Sequence, residues 1–181
     1  MASFVALLRG VNVGRGQRVP MAALRALLTE LGYTGIVTVL NSGNAIFRAS
    51  KGSPASHAAN IAAAISAELK VEVPVLVESA KELAAIVAEN MLASAAVDPS
   101  RLLVAFVQDR KALSGLASVA ALVSPPERFL IGKNAAYLLC PSGTLESKAW
   151  EALLGKAGKS ATTRNWATVL KLHAAANEPE G

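Results

Sequence analysis

The chain has 181 residues, 52% of them hydrophobic, and a net charge of +5 from 18 Lys and Arg against 13 Asp and Glu. Much of the apolar content is alanine, a helix former, and no stretch approaches the ~20 consecutive apolar residues that cross a bilayer, so no membrane partner is expected. Cys140 is the single cysteine and His57 and His173 the only histidines, which excludes an intramolecular disulfide and cysteine-based metal clusters, and the expectation is no metal and no cofactor.

The N-terminal apolar run Phe4 to Leu8 stops at Arg9 and has no basic leader region, which reads as an early strand and not as a signal peptide. With the lone cysteine, this points to a reducing bacterial cytoplasm. Gly10 to Val19 is a polar, glycine-bearing loop, and Pro20 suits the first turn of a helix carrying Met21, Leu24, Leu27, Leu28 and Leu31, closed by Gly32. Ile36 to Leu40 is strand-like, Asn41-Ser42-Gly43-Asn44 is a turn cluster, and Ala45 to Arg48 returns as the second strand of a hairpin. Ser53-Pro54 opens a helix with Ile61, Ile65 and Leu69 as its core stripe, and Val71 to Val77 alternates as a strand. The order β-α-β-β-α-β is the split pattern of ferredoxin-like folds.

Ser79-Ala80-Lys81-Glu82 has the capping-box spacing and starts a helix with Leu83, Ile86 and Val87. Asp98-Pro99-Ser100 is a loop, Arg101 to Val107 a buried strand, and Ala112 to Leu122 a helix ended by Pro125-Pro126. Arg128 to Ile131 and Ala136 to Leu139 are short strands around Gly132-Lys133-Asn134. Leu145 to Leu154 reads as a helix, Gly155 to Ala161 as a basic loop, and Thr163 as the cap of a last helix holding Trp166, Leu170 and His173. The expected fold class is α+β, with two ferredoxin-like subdomains covering residues 1–79 and 80–181.

Charge is unevenly placed. Residues 1–52 carry Arg9, Arg15, Arg18, Arg25, Arg48 and Lys51 against Glu30, and residues 148–171 carry five bases against Glu151, while the middle leans acidic. Basic ends that meet in space would form a basic face. The loop Arg9-Gly10-Val11-Asn12-Val13-Gly14-Arg15-Gly16-Gln17-Arg18 leaves a strand and enters a helix. Its glycines allow close backbone approach, and its arginines suit an anion. It is not a dinucleotide fingerprint, because position 19 is Val19. Gly155-Lys156-Ala157-Gly158-Lys159-Ser160 is not a phosphate-binding P-loop, since Leu153 stands where a glycine is required and a helix precedes it. Asn41 to Asn44 reads either as a plain turn or as a set of amides and a hydroxyl facing a ligand. Arg164, placed in a first helical turn by the Thr163 cap, conflicts with the helix dipole unless an anion or acidic side chain lies nearby. No nucleophile scheme is proposed by Cys140, the two histidines, or Asp98 and Asp109, so the catalytic residues are left unknown.

Leu8 to Gly14, Met21 to Arg25, Leu31-Gly32-Tyr33, Asn41 to Asn44 and Thr162 to Trp166 with Leu170-Lys171-Leu172 together resemble the bacterial domain-of-unknown-function family 1697. That family's first loop often reads Gly-Gly-Lys after the Asn, where this chain has Gly14-Arg15-Gly16 after Val13, keeping small and basic character. The resemblance implies two α+β subdomains and no established activity, and the family's typical residues correspond to Arg9, Gly10, Asn12, Gly14, Ser42, Gly43, Asn44, Arg164, Asn165 and Trp166. The expected site is a basic cleft between subdomains that binds a phosphate- or carboxylate-bearing small molecule through Arg9, Gly10, Asn12, Gly14, Arg15, Ser42, Gly43, Asn44, Arg164 and Asn165. The alternatives are an enzyme acting on such a molecule, nucleic-acid binding, and a structural role in which these side chains satisfy buried carbonyls. Aromatic residues make up only 4% of the chain, which weakens base-stacking recognition of single strands.

Overall fold

The computed structural model describes residues 1–179. Within them, eight strands and five α-helices follow one another as β1 (Ala2–Leu8), α1 (Met21–Glu30), β2 (Thr34–Thr38), β3 (Asn44–Ala49), α2 (Pro54–Leu69), β4 (Val75–Ser79), α3 (Ala80–Glu89), β5 (Leu102–Val107), β6 (Arg128–Ile131), β7 (Ala136–Leu139), α4 (Lys148–Leu154), β8 (Ala161–Asn165) and α5 (Trp166–Ala176), with a 3-10 helix at Arg110–Leu122. The protein is α+β, with two four-stranded antiparallel sheets, ordered β2-β3-β1-β4 and β6-β7-β5-β8. The chain divides into two compact units: Met1–Leu83 with Lys171 onward, and Ala84–Leu170.

In the first unit β1 lies between β3 and β4, in register Phe4 with Phe47 and Ser79, and Ala6 with Ala45 and Val77. Alternation puts Phe4, Ala6 and Leu8 on one face, where they pack with Leu24, Leu28, Phe47, Ile61, Ile65 and Val77. α2 starts at a reciprocal cap: Ser53 Oγ accepts from Ser56 N, and Ser56 Oγ accepts from Ser53 N. The expected strand from Val71 begins only at Val75, because Pro74 has no N–H for a ladder; its carbonyl instead accepts from Arg9 N at 2.9 Å.

Phe4, Tyr33 and Phe47 surround His57, with ring centroids 4.6, 5.2 and 5.4 Å from the imidazole. Burial lowers the His57 pKa. A group whose folded pKa lies below its unfolded value binds fewer protons folded than unfolded. Stability is therefore whole above about pH 6.5 and is lost as pH falls from there toward the lowered value. The apparent Tm of the native chain is expected to drop as pH falls below about 6.5, and a His57→Gln variant followed over the same pH range should lose that part of the slope.

In the second unit β5 is central, and all six of its residues are buried. Leu103, Ala105 and Val107 pack with Leu113, Leu116, Leu138, Ala149 and Leu153. The segment expected as a helix from Ala112 to Leu122 is helical, as a 3-10 helix over Arg110–Leu122. Its buried residues Leu113, Leu116 and Val119 recur every third position, the period of a 3-10 helix and not of an α-helix. α4 starts at Lys148 and not at Leu145, because Ser147 Oγ accepts from Trp150 N at 3.1 Å and fixes the cap there, leaving Leu145 exposed.

The largest correction concerns Thr163. It does not cap the last helix, because residues 161–165 form β8, paired with β5 in the register Val104 with Arg164 and Ala105 with Thr163. The cap is Asn165, whose Oδ1 accepts from Thr168 N at 2.9 Å. Arg164 is accordingly a strand residue, and the helix-dipole conflict expected for it does not arise. The expected Thr-Arg-Asn-Trp helix start is thus a strand end followed by a helix beginning at Trp166.

Candidate functional site

The loop between β1 and α1 closes on itself. Asn12 N donates to Gln17 O at 2.8 Å, Gln17 N to Gly10 O at 3.1 Å, and Gly16 N to Val13 O at 2.8 Å. Every second residue of its first half is left-handed: Gly10 at φ 67°, Asn12 at 55° and Gly14 at 50°. Glycine and, among other residues, asparagine adopt that conformation most readily. Gly16 is required for a different reason, since a Cβ there would lie 2.2 Å from Gly10 O.

Asn12 holds this shape. Its Nδ2 donates to Val19 O at 2.7 Å and to Asn41 O at 2.8 Å, while its Oδ1 accepts from Val19 N at 3.0 Å. One carboxamide therefore joins both ends of the loop to the β2–β3 turn. That turn is tied down again by Leu8 N donating to Gly43 O at 2.8 Å. The fully buried Asn44 spans it from within, its Nδ2 donating to Val39 O at 2.9 Å and Ser42 Oγ at 3.0 Å. The fold thus brings Arg9, Gly10, Asn12, Gly14 and Arg15 together with Ser42, Gly43 and Asn44 in the first unit. The carboxamides of Asn12 and Asn44 are engaged in shaping the loop and the turn.

The outward part of the loop carries the charge. Val13, Gly14, Arg15 and Arg18 are exposed and Arg9 is partly buried. Arg18 Nη2 reaches back to Gly14 O at 3.4 Å, which places that guanidinium beside the loop backbone. Cations on a rim of left-handed backbone form the chemistry that receives phosphate or carboxylate oxygens.

Arg164 and Asn165 belong to the second unit, on β8. Arg164 Nη1 donates to Thr163 O at 2.8 Å, and desolvation pushes its pKa down to about 10, so it stays protonated at neutral pH. Cys140 is fully buried, with burial pushing its thiol up and Ser147 Oγ 3.6 Å from its Sγ. A reactive thiolate is disfavoured there. Among the described residues no three His, Cys, Asp or Glu side chains gather where a metal could be held, and no helix is long and apolar enough to cross a membrane.

Sequence reasoning missed a carboxylate cradle in the second unit. Glu89, near the end of α3, accepts from the backbone N–H groups of Lys133, Asn134 and Ala135 at 3.2, 3.0 and 3.2 Å, from Asn134 Nδ2 at 2.9 Å and from the Tyr137 hydroxyl at 2.8 Å. Gly132 makes room, since a Cβ on it would lie 2.2 Å from Glu89 Oε1. Gly132-Lys133-Asn134 was visible as a turn, but nothing local indicated which acid its amides would hold. This anion-receiving turn is already filled by the protein's own side chain.

The sequence matches the model of the family described as "Protein of unknown function (DUF1697)" over residues 1–137. No curated protein matches the chain. Among solved structures, the fold is similar to the conserved bacterial protein SP0830 from Streptococcus pneumoniae, at 24% identity and a TM-score of 0.80 over 97% of this chain and 99% of that one. At that identity the likeness shows the fold alone. A second structure, protein BT0572 from Bacteroides thetaiotaomicron, aligns over 94% of this chain and 96% of that one at 13% identity, with a TM-score of 0.22 that carries no argument. With three quarters of its length inside the matched region, the chain belongs to the DUF1697 family of proteins of unknown function.

Proposed function

We propose that the protein binds an anionic ligand, phosphate- or carboxylate-bearing, at the loop between β1 and α1. The observation that carries this reading is the convergence of Arg9, Arg15 and Arg18 on one short loop whose left-handed residues Gly10, Asn12 and Gly14 are locked in place by the Asn12 side chain. A preorganised loop loses little conformational entropy when a ligand arrives. The exposed guanidinium groups of Arg15 and Arg18 offer charge-assisted, two-pronged hydrogen bonds to oxyanions. Asn12 and Asn44 act as positioning residues, and Ser42, whose hydroxyl meets Asn44, shares in that framework. Each unit is also proposed to be ferredoxin-like. This is supported by the order β2-β3-β1-β4 in one sheet and β6-β7-β5-β8 in the other, the same arrangement of successive strands.

The test is a thermal-shift screen with inorganic phosphate, nucleotides, phosphorylated metabolites and small carboxylates. In an Arg15→Ala/Arg18→Ala double variant the affinity for the stabilising anion is expected to fall about tenfold, the equivalent of ~1.4 kcal/mol. An unchanged affinity would remove the loop from the site. Loss of the shift in Arg164→Lys would add Arg164, and an unchanged shift would leave it out. Binding to an oligonucleotide that weakens steeply with added salt would instead favour a nucleic-acid backbone as the ligand.

A further inference from the structure

A cavity of about 440 Å³ opens in the first unit, away from the loop just described, between the α1–β2 turn, the β3–α2 turn and the first turns of α2. Its volume falls in the ordinary range for small-molecule sites. Tyr33, His57 and Asn60 stand in its wall with Lys51 and Gly52, and Leu31 supplies apolar surface.

These polar groups form a directed chain. The Asn60 side chain hydrogen-bonds to the Tyr33 hydroxyl, and that hydroxyl lies 2.8 Å from His57 Nδ1. With Asn60 donating to the Tyr33 oxygen, the phenol is free to turn its own proton to Nδ1. In that tautomer the neutral imidazole carries its proton on Nε2. His57 is 4% exposed, and its Nε2 has no acceptor among the described residues. Gly52 covers that edge of the ring: a Cβ there would lie 2.6 Å from Cε1 and 2.8 Å from Nε2. Only backbone bearing no side chain fits against it. A buried donor left without an acceptor is unfavourable, so an oxygen that reaches it gains a hydrogen bond the protein itself does not make. A displacement of the exposed Ser50–Gly52 turn would open the way.

We propose that this cavity binds a small organic carboxylate, its oxygens between His57 Nε2–H and the Lys51 ammonium and its apolar body against Leu31. The charge of the wall supports an anion: among the described residues lining it, Lys51 carries the one charged side chain and none is acidic. The donor chain through Tyr33 polarises Nε2–H toward an acceptor and offers nothing to a cation.

Benzoate is the probe, with neutral benzamide as its isostere, and the readout is the side-chain nitrogen and proton resonances of His57 in the ¹⁵N-labelled full chain. Benzoate should move the Nε2 signal saturably, benzamide should move it much less, and Lys51→Gln should weaken benzoate about tenfold. Lys51 is exposed, so that substitution leaves the core intact. The Arg15→Ala/Arg18→Ala double variant should leave the His57 response unchanged, separating this cavity from the anion loop. A His57 signal indifferent to benzoate would overturn the proposal, as would equal responses to benzoate and benzamide or a response abolished by the loop variant.

Discussion

Replacing Glu89 with alanine is expected to lower stability by about 3 kcal/mol, because five hydrogen bonds to one carboxylate disappear together and three backbone donors must find water in a partly buried turn. For a chain of this size that corresponds to a fall of roughly 6–12 °C in Tm. Glu89→Gln should lose less, since one oxygen still accepts while the new amide faces donors. Burial by itself pushes the Glu89 pKa up, but the hydrogen bonds from Asn134, Tyr137 and Ala135 outweigh it, and the net shift is downward. A folded-state pKa below the unfolded one means that this contribution is fully present above the ordinary carboxylate range and is lost as pH falls through the lowered value. Denaturant titrations should therefore show the native protein losing its advantage over Glu89→Gln below about pH 4. If the two proteins differ equally at pH 3 and pH 7, on either side of the ordinary carboxylate value of about 4.3, the carboxylate charge has no part in the cradle.

Gly43→Ala is the second large effect. Gly43 has φ 84°, and a Cβ on it would lie 2.5 Å from Val11 Cγ2 and 2.7 Å from Leu8 Cβ. The left-handed backbone costs an alanine about 1–2 kcal/mol, and overpacking against two buried side chains adds about 1–3 kcal/mol. A total loss of about 3 kcal/mol is expected in urea titrations. The turn at Gly43 and the loop at Val11 share this contact, so the variant should also weaken anion binding at the loop. Gly14→Ala makes the control: its φ is 50° but a Cβ there meets nothing within 4 Å, so only the smaller backbone penalty applies. Equal losses in the two variants would show that backbone strain alone matters at Gly43.

Much of the first unit was legible because its signals are local. A short apolar run marks β1, and the Ser53 and Ser79 caps use partners three residues away: Ser79 Oγ accepts from Glu82 N at 3.1 Å and Glu82 Oε2 from Ser79 N at 2.7 Å. The three-residue spacing of Leu113, Leu116 and Val119 was also present in the sequence, and that segment is helical as expected.

The sequence by itself determined the α+β class, the hairpin between β2 and β3, the start of α2 and α3, and the glycines that let the first loop turn, since all of these depend on neighbours within a few positions. Only the tertiary structure decided that Ala161-Thr162-Thr163-Arg164-Asn165 is a strand, because that polar segment owes its conformation to hydrogen bonds with β5, more than fifty residues earlier. The same holds for the carboxamide of Asn12 reaching Asn41 and the carboxylate of Glu89 reaching the Lys133–Ala135 amides, 29 and 44 to 46 residues away. A polar side chain carries no local mark of which distant backbone group it will satisfy, and that choice is made only when the sheets bring the two together.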